Sequence, residues 1–251
     1  DKVSGYIGEC RECGIALLPP DINRSADRFT VEEGGIRFGL VAIKNIGRGF
    51  IQAVMRERET GGDFTSLYDF CSRMNGSEMN KRAVENLIRS GAFDSMGARR
   101  SQLIKVYESV MDSVAAQQRE NVEGQMDFFS MAADNDEKSN SVKEIPLPDI
   151  PEYTPEELMT MEKATTGLYL SGHPMDHYRD AVRKLHAPTI VSIIEDFSRE
   201  NGPERFTDGQ RITIAGVITS SKTKTTKNNS LMAYVMVEDD TASMELLLSL
   251  I

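Results

Sequence analysis

The chain contains no tryptophan, three cysteines and three histidines among 251 residues, and each scarcity narrows the chemistry available to it. Cys10, Cys13 and Cys71 form an odd set with a single CxxC, which argues against a disulfide framework. A zinc site would need further ligands, and His173, His177 and His186 lie far downstream. Cys10 and Cys13 read instead as buried helix residues of a reducing cytoplasm. The apolar runs are a few residues long, well short of the ~20 that span a bilayer. No basic-then-apolar leader opens the chain, so neither membrane insertion nor secretion is expected, and the expected location is cytoplasmic. There is no nucleophile–base–acid constellation and no GxxxxGK[ST] phosphate loop.

What is present in excess is negative charge. The formal net charge is −10, but it is unevenly placed. Residues 36–112 carry 12 lysines and arginines against 9 acids, a net of +3. Residues 113–204 carry 8 against 18, a net of −10. Binding responds to local potential within a Debye length of about 8–10 Å, so the first of these regions remains an electrostatically plausible nucleic-acid face.

Within it stands Gly39–Val54, GLVAIKNIGRGFIQAV. Leu40, Ile43 and Ile46 lead into a tight Asn-Ile-Gly turn, and Phe50, Ile51 and Val54 lead out along a helix. Asn45 and Gly47 both tolerate the positive φ of a sharp reversal. The outgoing helix has no acid before Glu57, so its first N–H groups are a ready anion site flanked by Lys44 and Arg48. Two readings fit: a helix-hairpin-helix gripping a nucleic-acid phosphate, or an ordinary αα-hairpin with a glycine turn.

A second helix–turn–helix follows some 45 residues later. Ala83, Val84, Leu87 and Ile88 recur at helical spacing, the chain turns at Ser90–Asp94 around Gly91, and a new helix starts near Gly97. Arg99 and Arg100 fall just after the turn, either as phosphate ligands or as a solvated helix face. Earlier, Phe29–Val31 and Ile36–Phe38 flank Glu-Glu-Gly-Gly, a hairpin signal. From about Asn121 to Ile150 the composition reads as a flexible acidic linker. Gln125, Met126, Asp127, Phe128 and Phe129 sit in its front edge, either packing back on the domain or docking in a partner's apolar pocket. Thr154-Pro155-Glu156-Glu157 starts a helix. His173, before Pro174, reads as a capping residue. Arg211–Thr219 alternates as a strand, Ser220–Ser230 is a basic loop carrying Lys222, Lys224 and Lys227, and two further strands surround a turn at Asp239-Asp240. This order matches the start of an oligonucleotide-binding barrel, with three of its five strands.

The stretches YIGECRECGIALLPPDIN, GIRFGLVAIKNIGRGFI, NKRAVENLIRSGAFDSMG, GQMDFF, EKATTGLYLSGHPM and ITIAGVITSSKTKTTKNNSLMAYVMVED, in this order, resemble the alpha subunits of bacterial DNA polymerase III. The resemblance covers nearly the whole chain. It implies a mainly α chain with a partial C-terminal β-barrel, an α+β multi-domain fragment. Residues 1–35 would end the fingers region, and 36–120 would be a tandem helix-hairpin-helix holding duplex DNA through Lys44, Asn45, Gly47, Arg48, Gly49, Gly91, Gly97, Arg99 and Arg100. Residues 121–152 would be the linker with a clamp-binding motif at Gln125–Phe129, 153–204 a helical connector, and 205–251 the barrel start, with Lys222, Lys224 and Lys227 toward a single-stranded template. The family usually has glycine where this chain has Asn45. The implied partners are double-stranded DNA, template strand, the sliding clamp and other holoenzyme subunits. The family's catalytic carboxylates and their Mg2+ lie upstream, so this chain is expected to be non-catalytic and to hold no cofactor, with room for a monovalent cation at the hairpin. The competing readings are a protein-interaction module and an accessory DNA-binding region of a repair nuclease or ligase.

Overall fold

A computed structural model describes residues 6, 10, 13–76, 78–128, 145–225 and 231–250. The chain divides into two units, Leu17–Ser171 and Gly172–Ile251 with Asp1–Ala16. Mixed α+β structure is found: the described residues form seven α-helices and two three-stranded sheets. No described helix is long and apolar enough to cross a membrane.

The first unit opens with β1 (Ala16–Leu18), β2 (Thr30–Glu32) and β3 (Gly35–Arg37), ordered β1-β3-β2. Val31 pairs with Ile36 across the expected tight turn, where Gly34 adopts φ +94. Four helices follow: α1 (Arg48–Gly61), α2 (Leu67–Arg73), α3 (Lys81–Arg89) and α4 (Arg100–Phe128). Local chemistry sets their starts. The Ser66 side chain accepts from the Asp69 N–H, and the Asn80 side chain accepts from the Ala83 N–H, each satisfying one of the helix's orphan donors. The apolar stripe Ala83, Val84, Leu87 and Ile88 is buried as its spacing predicts. At the centre Phe70 meets Phe50, Phe64 and Phe93 edge-on, with centroids 6.3, 5.0 and 5.0 Å apart. This aromatic knot joins α1, α2 and the turn after α3 into one core.

After 129–144, which lie outside the described residues, the chain returns from Ile145 as a segment without helix or strand. It enters α5 (Pro155–Thr166) through a reciprocal capping box: the Glu157 N–H donates to Thr154 Oγ1, and the Thr154 N–H donates to the Glu157 carboxylate. Gly167, at φ +81, ends this helix. A flexible linker from Asn121 is not what the structure shows at its front edge. The backbone of α4 stays helical to Phe128, because Gln, Glu and Met within that stretch are good helix formers and no Gly-Pro signal interrupts it. The far edge is not free either, as described below.

In the second unit His173 Nδ1 accepts from the Met175 N–H and caps a 3-10 turn over Pro174–Tyr178, the capping role its position predicts. Helices α6 (Arg179–Leu185) and α7 (Ile190–Phe197) precede an antiparallel meander, β4 (Val217–Thr225), β5 (Leu231–Glu238) and β6 (Ser243–Leu250). Ala233, Val235 and Val237 bury one face of β5 against Ile190. The strand boundaries differ from the sequence reading. Residues 211–216 form no strand, and β4 instead takes in Ser220–Thr225. The alternating threonines at 219, 223 and 225 favour a pleated edge, which outweighs the polarity that suggested a loop. Asp239 forms the expected turn before β6: it accepts from the Thr241 and Ala242 N–H groups, and also from the Ile190 N–H at the start of α7.

Candidate nucleic-acid interface

The first hairpin is tighter than a pair of helices. Its incoming arm is a single 3-10 turn, Leu40–Ala42, after which Ile43 is already extended. Gly39 is required there, since a Cβ would sit 2.4 Å from the Arg28 carbonyl carbon. The reversal falls on Asn45 alone, at φ +61. Gly47 is not left-handed as its residue type suggested: with φ −75 and ψ 147 it is the extended N-cap of α1. One αL residue is enough to aim the chain, so the glycine is not needed for positive φ. The N-terminus of α1 has no side-chain cap and no acid in its first turn, and Arg48 is exposed with no hydrogen-bond or ion-pair partner among the described residues. One anion stands nearby. The carboxylate of Glu78 lies over the turn, so that a Cβ at Gly49 would come 2.8 Å from its Oε2.

Lys44 does not project freely toward a ligand. Its Nζ donates to the Ala164 carbonyl at 2.8 Å and its N–H to the Thr165 carbonyl at 2.9 Å, a cation at the carbonyl end of α5. Its carbonyl accepts from Asn86 Nδ2 at 2.6 Å. Lys44 therefore anchors the hairpin to α3 and α5.

The second hairpin departs further from expectation. Gly91 and Gly97 adopt φ +84 and +80, as the turn requires. Arg100, expected to face phosphate, is buried. Its Nε and Nη2 grip Asp94 at 3.0 and 2.6 Å, and Nη1 reaches Glu162 Oε1 at 3.1 Å. Burial works against its charge, and the two carboxylates more than restore it, raising its pKa. The helix start itself is already filled by Glu152. Its Oε2 accepts from the Arg100 N–H at 2.7 Å and its Oε1 from the Ser101 N–H at 2.9 Å. Burial would raise the Glu152 pKa, but the N–H groups of Ser101, Tyr153 and Arg100 outweigh it and hold the carboxyl below its usual range. Arg99 Nη1 donates to the Ile150 carbonyl at 2.7 Å. An open anion site at this hairpin is thus ruled out in the conformation observed.

Gln125, Met126, Asp127 and Phe128 lie on the last turn of α4, while Phe129 lies outside the described residues. Lys222 and Lys224 sit in β4 rather than on a loop, paired with Tyr234 and Met232, and Lys224 Nζ stands 5.2 Å from the centroid of the Tyr234 ring. Lys227 lies outside the described residues. The groups that sequence reasoning missed are Glu78, Asp94, Glu152 and Glu162. Asp94 is close enough in sequence to Arg100 to have been paired with it; nothing local marks the other three.

A helix-hairpin-helix motif model matches residues 14–103. The chain is 32% identical over 249 residues to the DNA polymerase III subunit alpha of Vibrio cholerae, covering 99% of the chain and 20% of that protein. It is 36% identical over 248 residues to that of Deinococcus radiodurans, covering 98% and 18%. For Saccharopolyspora erythraea the figures are 35% over 253 residues, 98% and 20%. The chain thus spans about one fifth of the length of these relatives.

Proposed function

We propose that this chain, which matches the DNA polymerase III alpha subunits along nearly its whole length and corresponds to about a fifth of one, is a non-catalytic segment that holds duplex DNA by its backbone during replication. The observation that carries this reading is the first hairpin: an αL turn at Asn45 delivers the uncapped N-terminus of α1, with exposed Arg48 beside it, inside a matched helix-hairpin-helix region. Backbone N–H groups and an arginine contact phosphate without reading bases, so binding is sequence-independent and salt-sensitive. The Glu78 carboxylate at the same turn competes with phosphate for that position.

The test is a titration of the whole chain against duplexes of unrelated sequence at several salt concentrations. With about two to five phosphates engaged, the logarithm of affinity falls with the logarithm of salt at a slope of about −2 to −4.5. Arg48→Glu weakens every duplex alike, and Glu78→Gln strengthens it. Salt-insensitive binding, or none, refutes the reading.

Docking of Gln125–Phe129 on a sliding clamp is the second element of the proposal, supported by the order of glutamine first and paired aromatics last. A peptide spanning 124–130 then captures the clamp, and replacing both Phe128 and Phe129 by alanine abolishes capture without touching DNA affinity. For the β4–β6 sheet, Tyr234 opposite Lys222, with Lys224 Nζ over its ring, offers a ring and two cations to a single strand.

A further inference from the structure

The start of α4 already holds an anion, and the segment that supplies it has a distinctive form. Along Pro148–Glu152 one oxygen after another faces a donor at that helix end. The Pro148 carbonyl accepts from Gln102 Nε2 at 2.8 Å. The Asp149 carboxylate stands 3.5 Å from Arg99 Nη1, and the Ile150 carbonyl accepts from the same group at 2.7 Å. The Glu152 carboxylate takes the Arg100 and Ser101 N–H groups. The donors occupied are the first backbone amides of the helix and the arginine beside them. Those are the donors a hairpin offers to a phosphodiester chain, whose oxygens also come at short, regular intervals.

We propose that Pro148–Glu152 is an intramolecular substitute for a DNA backbone, and that duplex DNA engages the second hairpin only by displacing it. The inference rests on the duplex reading above. The exchange replaces one anion by another on the same N–H groups, so little hydrogen bonding is lost, and a duplex already held at the first hairpin presents its next phosphates at high effective concentration. Docked segment and bound phosphate are mutually exclusive, because both require the Arg100 and Ser101 amides. The chain is therefore a one-hairpin binder until the segment lifts and a two-hairpin binder afterwards.

Spin labels on exposed Leu147, just before the segment, and on exposed Lys105 of α4 provide the readout, since docking fixes their separation and lifting of the segment widens it. This distance and hydrogen exchange are measured on the whole chain, free and saturated with duplex. The expected result is that the Leu147–Lys105 separation widens on DNA binding while Ser101 keeps its exchange protection, its N–H passing from carboxylate to phosphate. Glu152→Gln is expected to tighten duplex binding about two- to five-fold, the range of one carboxylate's interaction with a helix N-terminus. The salt slope stays near that of the parent, since the same phosphates are engaged once the segment has lifted. A Leu147–Lys105 separation unchanged in the saturated complex overturns the proposal and leaves duplex binding standing, and this distance decides even if the Glu152 variant folds poorly. Absence of any duplex binding overturns both readings together.

Discussion

Replacing Arg100 by methionine separates two roles that the same residue could have. As a phosphate ligand, Arg100 would be dispensable for folding, and its loss would appear only in DNA affinity. In the structure its side chain is 7% exposed and its Nη1 reaches the Oε1 of Glu162, which is 1% exposed. The other Glu162 oxygen keeps its bonds from the Leu170 and Ser171 N–H groups and from Ser171 Oγ, so Oε1 is the atom left stranded. Asp94 contributes less to the loss, because it is about half exposed and water replaces the guanidinium there. Removing one partner from a buried pair costs about 3–5 kcal/mol, most of it the burden of the orphaned charge. For a unit of this size, at about 2–4 °C per kcal/mol, the melting midpoint falls by roughly 10 °C. Calorimetry on Arg100→Met, Glu162→Gln and the double variant closes the cycle, and the double variant is expected to recover part of the loss. If Arg100→Met instead melts within about 1 kcal/mol of the parent, the ion-pair account is wrong.

Other perturbations probe the remaining parts. Phe70→Ala removes the ring against which Phe50, Phe64 and Phe93 pack, and urea unfolding is expected to show a loss of about 3–5 kcal/mol. Asp239→Ala strands the Ile190, Thr241 and Ala242 N–H groups. Amide exchange is expected to quicken along β5, β6 and α7 and to stay unchanged along α2 and α3. The Glu152 carboxyl lies below its ordinary value of 4.5 in the folded chain. A depressed carboxyl contributes stability at pH above the unfolded value and loses it as pH falls through the folded one. The protection factors of the Ser101 and Tyr153 amides, corrected for the intrinsic pH dependence of exchange, are therefore expected to be constant near neutrality and to fall below that ordinary value.

Much of this architecture follows from local sequence alone. Asn45 marks a reversal because its short side chain tolerates αL, and the chain does turn there. Thr154 and Glu157, three residues apart before an apolar run, cap a helix by their own geometry. Ala83, Val84, Leu87 and Ile88 lie on one helical face, and that face is buried. Each of these depends on neighbours within about one turn of chain, so the sequence by itself determined these turns, caps and buried faces, and with them the stretch of net positive charge.

Tertiary structure alone decided which of those charges remain available. Lys44 spends its ammonium on Ala164, 120 residues away, and Arg100 spends its guanidinium partly on Glu162, 62 residues away. The α4 amides are taken by Glu152, 52 residues beyond Arg100. A carboxylate or a carbonyl has no periodicity and no required spacing from its donor. It binds whichever N–H groups converge on it once the core has set the helices in place, and that convergence is a property of the folded chain.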